Sequence, residues 1–168
     1  YGMPKDLLYG ENFIVEKFKL HQLSTGDLLR KEVKSKSDLG IEITSIINSG
    51  KLVSDEIVSK LIENYSLKKK YKNKLIFDGY PRNLQQANNL DYLLKKNSQK
   101  ISIVLNLSVS LETVKKRISE RKIIEKRKDD DEVVAIKRYE TYEKNIKPVI
   151  DFYKKSNLLK VVNGEGSI

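Results

Sequence analysis

Lys74-Leu75-Ile76-Phe77-Asp78-Gly79-Tyr80-Pro81-Arg82 carries a short apolar segment straight into an acid, a glycine and a Pro-Arg pair. Residues 74–77 read as a strand of nearly continuous apolar character, the pattern of a strand buried on both faces. Two further runs share it: Ile101-Ser102-Ile103-Val104-Leu105 and Leu158-Leu159-Lys160-Val161-Val162. Two weaker ones lie upstream, Asp6-Leu7-Leu8-Tyr9 and His21-Gln22-Leu23. Helical stretches separate them, at 12–19, 25–33, 55–65, 84–96, 111–121 and 132–155. Strand alternating with helix predicts an α/β fold of three layers, a parallel five-stranded sheet with helices on both faces. In such sheets ligands sit beyond the carboxyl ends of the strands. The residues that follow each strand are therefore the ones to read for chemistry.

The chain of 168 residues shows no internal repeat and no Pro/Gly/Ser linker, which predicts one domain. It has no cysteine, which excludes a disulfide scaffold and any thiolate site. Its single histidine, His21, argues against a metal site built from histidines. The longest uncharged apolar-rich stretch, 101–111, is far short of a membrane span, and no signal peptide is visible. The expectation is a soluble monomer in the cytoplasm with no membrane partner; a mitochondrial location stays open, because a removed presequence leaves no trace. The net charge is +10, from 33 Lys+Arg against 23 Asp+Glu. Such an excess attracts anions. Runs such as Lys68-Lys69-Lys70 are ordinarily solvated surface, and no aromatic-interleaved basic motif points to nucleic acid.

Three clusters follow the strands. After residue 23 comes Ser24-Thr25-Gly26-Asp27-Leu28-Leu29-Arg30, in which Ser24 and Asp27 have the spacing of a capping box. Capping accounts for those two but not for Gly26, or for Arg30 beside the start of a helix that can hold an anion. After residue 77, Asp78 and Arg82 flank a tight turn. A carboxylate there can organise Mg²⁺ and its waters, and a guanidinium can grip phosphate oxygens with two bonds. The third cluster is Arg117 and Arg121 on one helix face, then Arg127 before Asp129-Asp130-Asp131, then Arg138. Exposed ion pairs contribute only about 0–1 kcal/mol, so stability gives little reason for the array. Phosphoryl transfer gives a better one, because charge spreads over the moving group's oxygens.

Together these stretches resemble the adenylate kinases. Residues 23–30 resemble the acceptor-site motif of that family. Phe77-Asp78-Gly79-Tyr80-Pro81-Arg82 with Gln86-Ala87 resembles its second signature. Arg127-Lys128-Asp129-Asp130 with Arg138 resembles its lid-hinge signature. The resemblance runs from about Leu7 to Gly164. It implies a P-loop nucleoside monophosphate kinase fold and the reaction ATP·Mg²⁺ plus AMP giving two ADP. It also implies a division into a core (1–23, 67–120, 128–168), an AMP-binding region (24–66) and a lid (121–127). Carried over, Thr25, Gly26, Arg30, Lys51, Leu52, Val53, Gly79, Arg82 and Gln86 would bind AMP. Arg30 and Arg82 would take its phosphate and Gln86 would read its adenine. Gly10, Arg117, Arg121 and Gly164 would bind ATP, with Arg117 against the donor adenine. Arg121, Arg127 and Arg138 would join Arg82 around the transferring phosphoryl group. Asp78 would order Mg²⁺ through water, with no direct protein ligand to the metal. Thr25 and Gln86 favour AMP over pyrimidine monophosphates, while ATP against GTP as donor is less constrained.

The sequence departs from the family in one place. No G-x-x-x-x-G-K-[ST] loop occurs, although both flanks of that loop are present, residues 7–10 before it and 13–18 after it. The family's spacing would need about ten more residues there, so Gly10 and Glu11 are not expected to be neighbours in the complete protein. The competing expectation is a true loss of the loop, leaving a relative that binds AMP or serves as a scaffold. The five residues between Arg121 and Arg127 suit a short lid, and a longer one is equally compatible with the sequence.

Overall fold

The computed structural model describes residues 13–48, 53–125 and 132–166; side chains at 47, 48, 118, 120–125, 132–135, 137 and 138 lie outside that description. Residues 13–18 form α1. β1 (His21–Ser24), α2 (Thr25–Ser35), α3 (Asp38–Asn48) and α4 (Asp55–Ser66) follow, then a 3-10 turn at Lys69–Tyr71. β2 (Leu75–Asp78), α5 (Leu84–Lys96), β3 (Val104–Ser108), α6 (Leu111–Glu125), α7 (Glu132–Lys155) and β4 (Leu159–Asn163) complete the order.

The strands form two parallel pairs. β1 runs beside β2 with His21 opposite Leu75 and Ser24 opposite Asp78. β3 runs beside β4 with Val104 opposite Leu159 and Ser108 opposite Asn163. Each pair is closed by a helical crossover, as parallel pairing requires. Register in the first pair has a chemical consequence: the last residues of both strands, Ser24 and Asp78, finish side by side at the carboxyl edge. Residues with positive φ precede each of the four strands among the described residues, namely Lys19, Asn73, Ser98 and Asn157. Four left-handed turns therefore feed the strands without a single glycine.

Two apolar clusters hold these parts together. Leu23, Leu28, Leu29, Ile43, Leu61, Ile62, Tyr80, Leu90 and Leu94 form the larger. Ala87, Val149 and Tyr153 form the smaller. Helix α5 serves both, Ala87 facing one cluster and Leu90 and Leu94 the other, and Ile101 packs against each. Complete burial of a Leu or Ile contributes about 1.5–3 kcal/mol, so α5 is the element whose removal would separate the two strand pairs.

Four expectations change. The strand expected at 101–105 forms at Val104–Ser108, because Val104 N–H donates to Leu158 O and fixes the register there, leaving Ile101 to fill the junction between clusters. The strand pair β3–β4 is not buried on both faces among the described residues: Leu105, Val161 and Val162 are exposed. Helix α3 has no counterpart in the helices expected from the sequence pattern. Ser37 starts it by accepting from Gly40 N–H at 3.0 Å, and α3 then lies so close to α2 that a Cβ at Gly40 would meet Glu32 O at 2.3 Å. Finally, the Ser24–Asp27 capping box does not form: Ser24 makes no capping hydrogen bond. Its hydroxyl serves Asp78 across the strand pair, and Asp27 pairs with Arg30.

Candidate active site

The turn after β2 is shaped by Gly79, which sits at φ +67. A side chain there would be strained by its backbone and would press on Arg82 Nη2 at 3.0 Å and Thr25 Oγ1 at 3.1 Å. The turn thus lets the Arg82 guanidinium fold back over its own loop. Arg82 Nε donates to Gly79 O at 2.7 Å, and Nη2 donates to Thr25 Oγ1 at 3.1 Å. Thr25, the first residue of α2, in turn donates to Gly79 O at 3.3 Å. Arg30 lies further along the same helix, its guanidinium held by Asp27. Gly26 is buried in the first turn of α2.

The same segment controls Gln86 through its main chain. Asn83 starts α5 and its side-chain oxygen accepts from Gln86 N–H at 2.8 Å. Gln86 Oε1 accepts from Arg82 N–H at 2.7 Å, and Nε2 donates to Asp55 Oδ1 at 2.6 Å. A continuous path of hydrogen bonds therefore joins Thr25, Arg82, Gln86 and Asp55. Four elements contribute: the start of α2, the turn after β2, and the starts of α5 and α4. Tyr80 extends the α4 contact, its hydroxyl 3.2 Å from Ser59 Oγ. Burial pushes the Tyr80 phenol above its ordinary range, with the neighbouring Asp55 charge adding to the shift.

Asp78 ends β2 at 4% exposure. Gln22 Nε2 donates to its Oδ2 at 3.4 Å. Burial raises the Asp78 carboxyl above its usual range, and the Asp27 charge adds to this. The Ser24 hydroxyl, the Arg82 guanidinium and the Gln22 amide pull the other way. Among the described residues no group of three His, Cys, Asp or Glu side chains could hold a metal. A single carboxylate of this kind fits a Mg²⁺ ion that keeps most of its waters.

The second group of candidates gathers at the end of β4. Arg117 on α6 donates from Nη2 to Gly164 O at 2.7 Å and to Gly166 O at 3.3 Å. Glu165 between those glycines accepts from Ser110 N–H and the Thr113 hydroxyl, fastening the segment to the first turn of α6. Those bonds, the Thr113 hydroxyl first, hold the Glu165 carboxyl below its usual range, and Arg117 adds to the effect. A Cβ at Gly164 would meet Val109 Cγ1 at 2.7 Å, so any other residue there would force Val109 to shift.

Of the remaining candidates, Val53 is half-buried against the larger cluster. Gly10, Lys51, Leu52 and Arg127 lie outside the described residues, as do the side chains of Arg121 on α6 and Arg138 on α7. Sequence reasoning missed Asp55, Asn83, Gln22 and Glu165. Asn83 is readable, since Asn at the cap position with Gln three residues on is a helix-start pattern. Asp55 and Gln22 are not, because each acts on a partner distant in sequence.

Known proteins resemble this chain over most of its length. A family model described as adenylate kinase matches residues 10–158. The adenylate kinase of Pelagibacter ubique (strain HTCC1062) is 41% identical over 181 residues, covering 92% of this chain and 85% of that protein. That alignment is longer than the 168 residues of this chain, so the relative carries residues where this chain has none. An adenylate kinase of Prochlorococcus marinus is 44% identical over 146 residues, covering 87% of this chain and 77% of that protein. That of Leptospira biflexa serovar Patoc is 38% identical over 157 residues, covering 94% and 84%.

Proposed function

The chain belongs to the adenylate kinase family, and from that premise we infer how its residues move a phosphoryl group reversibly from ATP to AMP, giving two ADP. The observation that carries the reading is the hydrogen-bonded path from Thr25 through Arg82 to Gln86. It links a guanidinium suited to phosphate with an amide suited to a base edge, as a nucleoside monophosphate demands.

On the acceptor side Arg82 and Arg30 take the phosphate of AMP. Both are engaged with oxygens of their own protein, Arg82 with Gly79 and Thr25 and Arg30 with Asp27, so phosphate oxygens exchange for bonds already made. That exchange keeps the guanidinium groups aimed and lowers the ordering cost of binding. Gln86 reads the adenine, with Thr25, Gly26, Gly79 and the 51–53 segment closing around the nucleotide. On the donor side Arg117 lies against the adenine of ATP beside Gly10 and Gly164. Arg121, Arg127 and Arg138 gather around the transferring group, where positive charge stabilises oxygens that gain charge in flight. Asp78 holds waters of a Mg²⁺ ion, and that ion, when bound, neutralises phosphate charge.

Several finer features belong to the same proposal. The two strand pairs belong to one five-stranded parallel sheet. Ile101 and α5, which pack against both clusters, support it, as do the exposed Leu105, Val161 and Val162. Residues 1–23, 67–120 and 128–168 form the core, 24–66 the AMP-binding region and 121–127 a lid whose closure excludes water as a competing acceptor. The flanks at 7–10 and 13–18, with the intervening loop motif missing, support the reading that the complete protein carries further residues between Gly10 and Glu11. Among the described residues no helix is long and apolar enough to cross a membrane, and a cytoplasmic monomer acting on small nucleotides is the state we propose.

The test is AMP-dependent formation of ADP from ATP and Mg²⁺ by the purified complete protein. Turnover requiring both nucleotides is expected. Absence of ADP formation, with AMP still bound in calorimetry, would overturn the reading.

A further inference from the structure

Asp55 opens α4 and sets both of its carboxylate oxygens on the first turn of α5. Oδ1 accepts from Gln86 Nε2 and Oδ2 from Asn83 Nδ2, each at 2.6 Å. At the other end of the same amide, Gln86 Oε1 accepts from Arg82 N–H at 2.7 Å. An amide gripped at both ends has one orientation. Turned over, it would set an oxygen against a carboxylate and an NH₂ against an N–H, exchanging two bonds for two repulsions. Gln86 is only 2% exposed, so water does not compensate that error. These bonds use one N–H and one lone pair of the amide and leave one of each.

We propose that Asp55 is a positioning residue that sets the choice of acceptor base. By fixing the Gln86 amide it commits the remaining N–H to a ring acceptor and the remaining lone pair to an exocyclic amine. That is the 6-aminopurine pattern. A 6-oxopurine interchanges donor and acceptor and needs the amide turned over, which Asp55 and the Arg82 N–H oppose together. The inference rests on the reading above that Gln86 faces the base of the acceptor. Asp55 itself acts through Gln86 and needs no contact with the nucleotide.

The experiment measures kcat/KM for AMP and for IMP with the complete protein, and reads their ratio. The two nucleotides differ only at the 6 position and its neighbouring ring nitrogen, so phosphate and ribose contacts cancel. The folded fraction cancels as well, which keeps the ratio informative if a variant is less stable. Asp55→Ala is expected to lower the AMP/IMP ratio about tenfold, the size of one misplaced hydrogen bond. Asp55→Asn retains an acceptor oxygen for Gln86 and is expected to hold the ratio within about twofold of the parent. A ratio unchanged in Asp55→Ala overturns the proposal, provided Gln86→Ala lowers it. Equal losses in Asp55→Ala and Asp55→Asn also overturn it, since an acceptor rather than a charge is what the assignment needs. A ratio that survives Gln86→Ala overturns the underlying reading of Gln86 instead.

Discussion

The two groups of candidate residues are built from different materials. Around Thr25 and Arg82, side chains bond one another across four elements, and the participants Thr25, Asp78 and Gln86 are buried. Around Arg117, one guanidinium rests on main-chain oxygens of Gly164 and Gly166, in a segment fastened by the exposed Glu165. The first region is a network in which each group constrains the next. The second is a single cation on a backbone shelf. A network fixes geometry, so deleting one member also disturbs the bonds of its neighbours. A shelf offers surface, and removal of its cation costs about what that one interaction gave.

The sharpest way to break this comparison is Arg82→Ala. It deletes the guanidinium proposed to take the AMP phosphate and releases Thr25 together with the Gly79 turn. We expect kcat/KM for AMP to fall by about 10³, with kcat as well as KM affected. Steady-state ADP formation at varied AMP checks it. A rise in KM alone would show that Arg82 gives only uniform binding, and the network would then have no special status.

Asp78→Asn separates function from stability inside the network. Its expected loss in kcat is about 10², from misplacing the groups that Asp78 orders. Its effect on folding has the opposite sign. Burial raises the carboxyl pKa in the folded state, so between the unfolded and folded values the native protein binds more protons. Stability therefore falls as pH rises through the raised pKa and stays lowered above it. The amide does not titrate. Asp78→Asn should melt above the parent at neutral pH, with the gap closing as pH falls below the folded pKa. Thermal melts across acidic to neutral pH check it. A gap that widens toward acid would show Asp78 to be stabilised as a carboxylate.

The same contrast decides what is legible in the chain. Arg82, Thr25 and Gln86 are legible because a network of side chains needs particular residues at fixed offsets from a strand end. The turn at Gly79 is legible because a left-handed backbone there combines with Arg82 and Thr25 atoms where a Cβ would sit, a combination that favours glycine. Asp55 is not, since its partners lie near residues 83–86 and only the fold brings them together. The left-handed turns at Lys19, Asn73, Ser98 and Asn157 are not either, for none advertises itself as glycine. Helix α3 is hidden because its starter, Ser37, follows such a turn at Lys36. The apolar pattern starts the 104–108 strand three residues early because Ile101 and Ile103 share its character, while the decisive bond, Val104 to Leu158, is tertiary.

Arg117→Ala sharpens the comparison from the donor side and carries the smallest effect. A guanidinium against an adenine face contributes about 0.5–2 kcal/mol, which predicts a rise in the KM for ATP of about two- to thirtyfold. The KM for AMP and the kcat should stay within about twofold, because the bonds of Arg117 to Gly164 and Gly166 lie on a different segment from those that join Thr25, Arg82 and Gln86. Arg117→Lys tests the shelf itself. A lysine can bond one carbonyl but cannot lie flat against a base while doing so, and it should recover little of the loss. If either variant lowered kcat as Arg82→Ala does, the two regions would be one coupled site, and the distinction between network and shelf would be wrong. Varying ATP at saturating AMP, then AMP at saturating ATP, separates these outcomes in one preparation.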